Sequence, residues 1–339
     1  MRIDVHAHYW TDDYLDLLVD LGKTDTATQR GLGAGGGEEL DARLRLMDRT
    51  RVDMQILSAS PQLPHGEDRD KAVAAARFVN DQYAAVVARH PDRFRAFAAT
   101  PMPHIDASIT ELGRALDELD MLGVTMNTTV LGQALVDPQY EPIFAELDRR
   151  AAVLYLHPAG NSACTPLISQ YHLTWMVGAP VEDTISTMHL ITHGVLSRYP
   201  RIKIINSHLG GALPMLLQRA DNQYQWEAPG TPERPSTTAR RMWYDTVGHG
   251  HVPALRCAID SLGADRLLLG TDFPYEAGDV FVRAIEYITD PHIADDAANA
   301  ILEGNATTLF GITTPAGSAT GAAVQLDQEP TRPEDAIKR

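Results

Sequence analysis

The sequence predicts a (β/α)8 barrel, an α/β fold in which eight parallel strands alternate with helices around a closed sheet. Eight short apolar or β-branched segments alternate with longer amphipathic segments along the 339 residues. Polar residues able to carry out chemistry follow the first, fifth, sixth and eighth short segments. An open, doubly wound sheet is the structural alternative, but only a closed barrel brings those four strand ends to one mouth.

The short segments are the predicted strands, and they lie at residues 3–5, 54–58, 94–99, 123–127, 153–157, 202–207, 242–246 and 267–270. The amphipathic segments predict helices at residues 39–49, 70–90, 106–121, 142–150, 182–197, 213–224 and 252–262. Residues 159–181 form a long insertion after the fifth strand. The predicted barrel is a single domain that spans residues 1–312.

Two segments differ in composition from the alternating units. The glycine-rich segment 31–37 is predicted to be a flexible loop over the mouth, because a phosphate-binding loop would follow a strand and this one does not. The tail, residues 313–339, is rich in Pro, Ala, Gly and Thr and is predicted to be disordered.

The overall charge is acidic, with 29 Lys and Arg against 45 Asp and Glu and a formal net charge of −16. This balance argues against nucleic acid or an anionic membrane as the main partner. The only cysteines, Cys164 and Cys257, indicate neither a disulfide framework nor a thiolate metal site, and they favour the cytoplasm. We find no signal-peptide pattern and no apolar run long enough to span a bilayer.

The clearest sign of chemistry is the pair His6 and His8 at the end of the first strand. Residues two apart in an extended strand point to the same face, so both imidazoles can be directed at one point. Converging imidazole nitrogens suit Zn²⁺ and similar ions. The alternative interpretation is a strand that exposes two histidines without binding anything.

Two further residues complete a ligand set for one divalent ion. His157 ends the fifth predicted strand and is followed by a proline, and Asp272 comes directly after the eighth. When the barrel closes, the eighth strand lies beside the first, so the carboxylate reaches the same rim as the histidines. Three imidazoles and one carboxylate leave room for water or substrate. Each alone could be an ordinary strand end, but the four together predict a metal site.

His208 ends the sixth predicted strand and precedes Leu209-Gly210-Gly211. It is either a further ligand or a proton-transfer group. A histidine near its ordinary pKa can both give and take a proton at neutral pH, so we favour the acid/base role.

The complete motif set resembles the amidohydrolase superfamily. It includes His6 and His8, His157-Pro158, His208-Leu209-Gly210-Gly211 and Gly270-Thr271-Asp272-Phe273-Pro274. More narrowly, the chain is similar to the branch that contains α-amino-β-carboxymuconate-ε-semialdehyde decarboxylase and γ-resorcylate decarboxylase, and the resemblance runs from about Arg2 to Gly311. It extends to the segments 43–48, 94–97, 175–180 and 304–306.

The resemblance implies a mononuclear metal site, with Zn²⁺ expected first and Mn²⁺ as the other choice. Binuclear members carry a carbamylated lysine at the end of strand four, whereas the segment 124–127 has no lysine. In the decarboxylases the pattern implies that Asp272 binds the metal and takes part in catalysis, while His208 moves the proton. Arginines that match Arg43 and Arg219 bind substrate carboxylates, the second from a neighbouring subunit of a homodimer; a merely solvated Arg219 is the alternative.

The insertion after strand five supplies further candidates for substrate binding, His172 and Trp175. Here the chain departs from the family pattern, because it has Tyr171-His172-Leu173-Thr174 where a tryptophan is expected. The substrate is therefore left open. Weaker candidates for substrate contact follow other strands, namely His65, His249, His251, Tyr275 and Glu276.

The leading functional hypothesis is metal-dependent, non-oxidative decarboxylation of an aromatic or muconate-type carboxylic acid. No organic cofactor is expected, because the substrate's own π-system takes up the electrons. The alternative is a hydrolase or hydratase that uses metal-activated water on a C–C, lactone or amide bond. An inactive barrel that only binds a ligand is disfavoured, because all five metal and proton-transfer positions are filled.

Overall fold

Eight parallel strands form one sheet in the computed structural model, which describes residues 1–32 and 37–312. The strands neighbour one another in chain order, and helices lie between them in sequence. This arrangement confirms the predicted (β/α)8 barrel. The predictions for residues 33–36 of the glycine-rich segment and for the tail 313–339 lie outside the described residues.

The strands are short and, in five of eight cases, buried at every position, because helices cover the outer face of a barrel and side chains fill its inside. They are β1 Ile3–His8, β2 Met54–Ser58, β3 Phe94–Ala98, β4 Gly123–Asn127, β5 Val153–His157, β6 Lys203–Asn206, β7 Trp243–Asp245 and β8 Leu267–Leu268. A short antiparallel hairpin, Thr129–Val130 with Gln133–Ala134, follows β4.

The barrel closes between β8 and β1, at what we call the seam. Ala7 and Phe273 form an isolated parallel bridge, and the Val5 amide donates a hydrogen bond to the Leu269 carbonyl at 2.9 Å. The buried Asp4 carboxylate reinforces the seam, since it accepts hydrogen bonds from the Thr271 amide at 3.0 Å and the Thr271 hydroxyl at 2.6 Å. The first and last strands are thus joined by a few contacts near the mouth.

The helices agree with the predicted amphipathic segments, with several short additions. They are α1 Asp12–Asp20, α2 Gly37–Thr50, α3 Arg69–Arg89, α4 Ile105–Asp117, α5 Glu141–Arg150, α6 Pro166–Ser169, α7 Ala179–Thr192, α8 Val195–Arg198, α9 Leu213–Glu227, α10 Pro235–Ala239, α11 Val252–Leu262, α12 Asp279–Glu286, α13 Asp295–Asn299 and α14 Asn305–Phe310. Among the described residues, no helix combines the length and the apolar character needed to cross a membrane.

One predicted helix, 182–197, is divided in the structure. Helix α7 ends at Thr192, and Gly194 has φ +64 before α8 begins. A Cβ at Gly194 would lie 2.5 Å from Cγ of Pro232, so both the backbone conformation and the close approach require glycine. The interruption sends the chain back towards β6.

A small apolar cluster is formed by residues of six strands together with α14: Ile3, Val5, Met54, Ile56, Phe97, Val153, Tyr155, Ile205, Leu268, Ala306 and Leu309. Because strands from around the whole sheet contribute, this cluster fills the inside of the barrel. The larger core lies between the strands and the helices.

Candidate active site

Five polar side chains meet at the carboxyl ends of the strands. His6 Nε2 lies 3.0 Å from His8 Nε2, and Oδ1 of Asp272 lies 3.1 Å and 2.9 Å from these two nitrogens. Ligand atoms of His6, His157, His208 and Asp272 all lie within 4.8 Å of one another. The barrel therefore brings together the four predicted metal ligands and the predicted proton-transfer histidine.

The spacing and orientation of these groups fit a divalent cation. Ligand atoms that share an ion at about 2.0–2.1 Å lie roughly 3 Å apart. Nδ1 of His6 is bound to Asp245 Oδ2 at 2.7 Å, and Nδ1 of His157 lies 3.0 Å from the Pro158 carbonyl oxygen. With these Nδ1 atoms protonated, each Nε2 offers a lone pair to the centre. Nitrogen and carboxylate ligands of this kind suit Zn²⁺ or Mn²⁺.

The local electrostatics also favour ligation. Burial lowers the pKa of His8 to about 4, and burial together with the neighbouring His8 lowers the pKa of His157 well below its usual value. Burial alone would raise the pKa of Asp272, but the adjacent His6 outweighs it, so this pKa lies well below its usual range. Two neutral imidazoles beside an ionised carboxylate are the forms that bind metal. Burial alone would lower the pKa of His6, but the Asp245 and Asp272 carboxylates outweigh it and raise this pKa, so metal binding would displace a proton from His6.

Asp245 is a functional residue that the sequence analysis missed. It ends β7, is fully buried, and accepts a hydrogen bond from the His208 amide at 2.9 Å on the oxygen that does not bind His6. Such a carboxylate fixes the tautomer and the ring orientation of a ligating histidine. A carboxylate within a buried strand, next to the mouth, was the available signal.

Asp245→Asn is expected to lower the metal affinity of the protein by about 10- to 100-fold, because the amide no longer holds the proton on Nδ1 of His6. Competition with a chromophoric chelator measures this affinity. Asp260→Asn, on the exposed face of α11, is the control and should bind metal like the wild type. Equal affinity in all three proteins would contradict the role given to Asp245.

His208 is held by a second missed residue, Asp183 of α7. Nδ1 of His208 lies 2.9 Å from Asp183 Oδ2, and the Ser207 hydroxyl donates to Asp183 Oδ1 at 3.0 Å. Burial alone would lower the pKa of His208, but the Asp183 carboxylate outweighs it and the pKa is raised. The Nε2 atom of His208 is left to face the metal ligands, 4.0 Å from Asp272 Oδ2. This histidine is thus oriented to exchange a proton at the centre.

A cavity of about 690 Å³ opens over the ligands, with His157, His208 and Asp272 in its wall. Its volume falls in the range of small-molecule sites. Of the two substrate-binding candidates in the insertion, Trp175 lines the cavity, whereas His172 is exposed and is not part of its wall. The weaker candidates His249, His251 and Tyr275 line it as well, while His65 is buried away from it.

The two predicted substrate arginines lie outside this cavity. Arg43 is buried, donates to the His8 carbonyl at 2.8 Å and to Glu39 at 3.0 Å, and has its guanidinium carbon 4.4 Å from the centre of the Phe273 ring. These contacts occupy the planar guanidinium of Arg43. The side chain therefore supports the strand that bears His8 and does not face the cavity. Arg219 is exposed on α9 and does not reach the cavity of its own chain.

The comparisons with known proteins identify the family of the chain. The amidohydrolase family model matches residues 3–312. A 2-amino-3-carboxymuconate-6-semialdehyde decarboxylase of Dictyostelium discoideum is 30% identical over 278 residues, which cover 80% of this chain and 76% of the relative. A γ-resorcylate decarboxylase of Rhizobium radiobacter is 33% identical over 293 residues, covering 80% and 86%.

A solved structure gives the same fold. The crystal structure of a dihydroxybenzoic acid decarboxylase from Polaromonas sp. JS666, with bound manganese and the inhibitor 2-nitroresorcinol, superposes with a TM-score of 0.78. It is 27% identical in sequence, and the match covers 94% of this chain and 99% of that one.

Proposed function

The chain belongs to the amidohydrolase family, and from this premise we propose that it is a metal-dependent, non-oxidative decarboxylase of an aromatic or muconate-type carboxylic acid. The observation that carries the proposal is the meeting of His6, His8, His157 and Asp272 with the proton-transfer group His208 at the wall of one cavity. The relatives named above are decarboxylases of such acids.

We propose one divalent ion per chain, with Zn²⁺ as the first choice and Mn²⁺ as the second. His6, His8, His157 and Asp272 would hold it. Strand β4 ends at Asn127, whose amide donates to the Pro61 carbonyl at 3.1 Å, and this position offers no lysine to bridge a second ion. When bound, the ion would stabilise negative charge that develops on the substrate's oxygen atoms.

The protein's own groups supply the proton. His208, kept in one orientation by Asp183, donates a proton from Nε2 to the ring or chain carbon that bears the carboxylate. The bond between this carbon and the carboxylate then breaks, CO₂ leaves, and the electron pair of that bond restores the π-system. The products are CO₂ and the substrate with hydrogen in place of the carboxylate. No electrons are gained or lost overall, and because the substrate's own π-system takes up the electron pair, we expect no organic cofactor.

Release of CO₂ from a panel of hydroxybenzoates and muconate-type acids tests this function. The Zn²⁺- and Mn²⁺-loaded proteins should each be assayed, with metal-free protein as the control. CO₂ released together with a product lacking the carboxylate is the expected result. Uptake of water by lactones, amides or diketones of similar size, without CO₂ release, would instead establish the hydrolase or hydratase alternative.

We further propose a cytoplasmic homodimer in which Arg219 enters the partner's active site. Met215, Arg219 and Trp226 follow one another at helical spacing on one side of α9, and the two apolar side chains are 72% and 71% exposed. An exposed apolar stripe that flanks a guanidinium favours contact with another protein surface over simple solvation. The planar fork of the guanidinium suits a substrate carboxylate.

Mixed dimers test the exchange of Arg219. The inactive variants His208→Ala and Arg219→Ala are expected to regenerate activity when their subunits exchange, because one of the two sites in a mixed dimer has both groups intact. Co-purification through two different tags must first establish exchange. Inactive mixed dimers, or a monomer by light scattering at assay concentration, would reject the proposal.

A further inference from the structure

The turn after β7 presents one histidine to the cavity. His249 has φ +51 and Gly250 has φ +72, so two consecutive residues adopt the left-handed conformation, which a non-glycine residue rarely takes. The side chain of His249 is 72% exposed and forms part of the cavity wall. The turn therefore places an imidazole where a ligand can reach it.

A buried carboxylate holds this imidazole. Glu276 is 4% exposed, and its Oε1 lies 2.5 Å from Nδ1 of His249. Within residues 1–32 and 37–312, neither carboxylate oxygen has a partner in hydrogen-bond geometry, so the ion pair with His249 is the contact that offsets the burial of Glu276. An unpaired buried carboxylate is costly, so folding favours a protonated His249 beside it. Glu276 accordingly raises the pKa of His249.

Apart from the partner's Arg219 proposed above, the rest of the cavity wall lacks strong cations. None of its described residues is a lysine or arginine, and Arg43 is turned away from it. His208 is engaged by Asp183, and Asp272 adds negative charge. With Nδ1 of His249 facing Glu276, Nε2–H is the donor that remains for a ligand.

We infer that His249, paired with Glu276, determines specificity by binding a second anionic oxygen group of the substrate, at the β7 side of the mouth. The preferred substrates are then carboxylated aromatic acids with another acidic substituent besides the carboxylate that is lost. This inference rests on the proposed function and refines its substrate class.

Calorimetric titration of the metal-loaded protein tests the inference. The probes are 2-hydroxybenzoate and the three derivatives that add one carboxylate at ring position 3, 4 or 5. At least one derivative should bind the wild type roughly tenfold more tightly than 2-hydroxybenzoate, the size expected for one charge-assisted hydrogen bond. His249→Gln should abolish this advantage and change the affinity for 2-hydroxybenzoate by less than about twofold. His292→Gln is the matched control, because His292 also pairs with a carboxylate, that of Asp290, but lies outside the cavity wall, and it should keep the advantage.

Two further variants guard against a folding defect, because His249→Gln leaves Glu276 unpaired. His249→Lys restores a cation at this position and should restore part of the binding advantage. The double variant His249→Gln, Glu276→Gln removes the unpaired charge, but it should still lack the binding advantage. Equal loss for all four probes, loss in His292→Gln, or no advantage in the wild type would overturn the inference. The outcomes also distinguish failure of this inference from failure of the proposed function. Release of CO₂ by a wild type without the His249-dependent advantage would overturn the inference alone, and the advantage without CO₂ release would overturn decarboxylation alone.

Discussion

Asp272→Asn is expected to be purified with only a small fraction of the metal found in the wild type, and to lose activity by roughly 10³-fold or more. Asp272 Oδ1 lies within hydrogen-bond distance of Nε2 of both His6 and His8, so the substitution changes the contacts of two other proposed ligands as well. The amide has a similar shape but no negative charge. Loss of several kcal/mol of charge stabilisation corresponds to a rate change of this size.

Elemental analysis of the purified variant, together with its turnover, checks this result. Asp265→Asn is the matched control, because Asp265 precedes β8 at its other end and is exposed. It should retain about one ion per chain and wild-type turnover. Full metal content in Asp272→Asn would show that Asp272 is not a ligand, and two ions in the wild type would contradict the mononuclear site.

His208→Gln is expected to keep its metal and to lose about 10²- to 10⁴-fold in turnover, the usual range for a general acid or base. The distances favour this assignment. Nε2 of His208 is 4.0 Å from the nearer Asp272 oxygen, whereas the corresponding atoms of His6 and His8 are within 3.1 Å of that carboxylate. Its other nitrogen is engaged by a carboxylate that stabilises the protonated ring.

The comparison with His157→Ala decides between a proton-transfer group and a ligand. His157→Ala is expected to lose metal. The low pKa of His157 keeps its ring neutral, and the contact of Nδ1 with the Pro158 carbonyl turns Nε2 towards the other ligands. If His208→Gln loses as much metal as His157→Ala under the same chelator concentration, His208 is a ligand and the proposed proton transfer must be reassigned. Circular dichroism of both variants controls for folding.

The strands and the metal ligands could be read from the sequence because both follow a local pattern. Strands β2, β4 and β5 begin and end where predicted, because each is a short, mainly apolar or β-branched segment bounded by more polar residues. The ligands come directly at or after such runs. Strand β8 is shorter than predicted, and the backbone at Asp272 has φ +61, so this ligand lies in the turn beyond the strand.

The supporting carboxylates and the arginines could not be read in the same way. His6 and Asp245 are 239 residues apart, and only the closed barrel brings them into contact. Asp183 lies within a helix pattern that looks ordinary. Arg43 matched a family pattern for substrate binding, but the fold surrounds it with Glu39, the His8 carbonyl and the Phe273 ring. Such contacts depend on tertiary packing, which no local pattern records.

The seam between β1 and β8 links metal binding to the stability of the whole barrel. His8 and Asp272 lie 264 residues apart in the chain, yet their side chains meet across the seam at 2.9 Å. An ion held by both residues would join the first and last strands in the folded chain only, so its binding free energy would add to the stability of the barrel. The free energy of unfolding should rise by about 1.4 kcal/mol for each tenfold increase in free metal above the dissociation constant. Thermal melts across a metal titration would measure this dependence, and Asp272→Asn should flatten it.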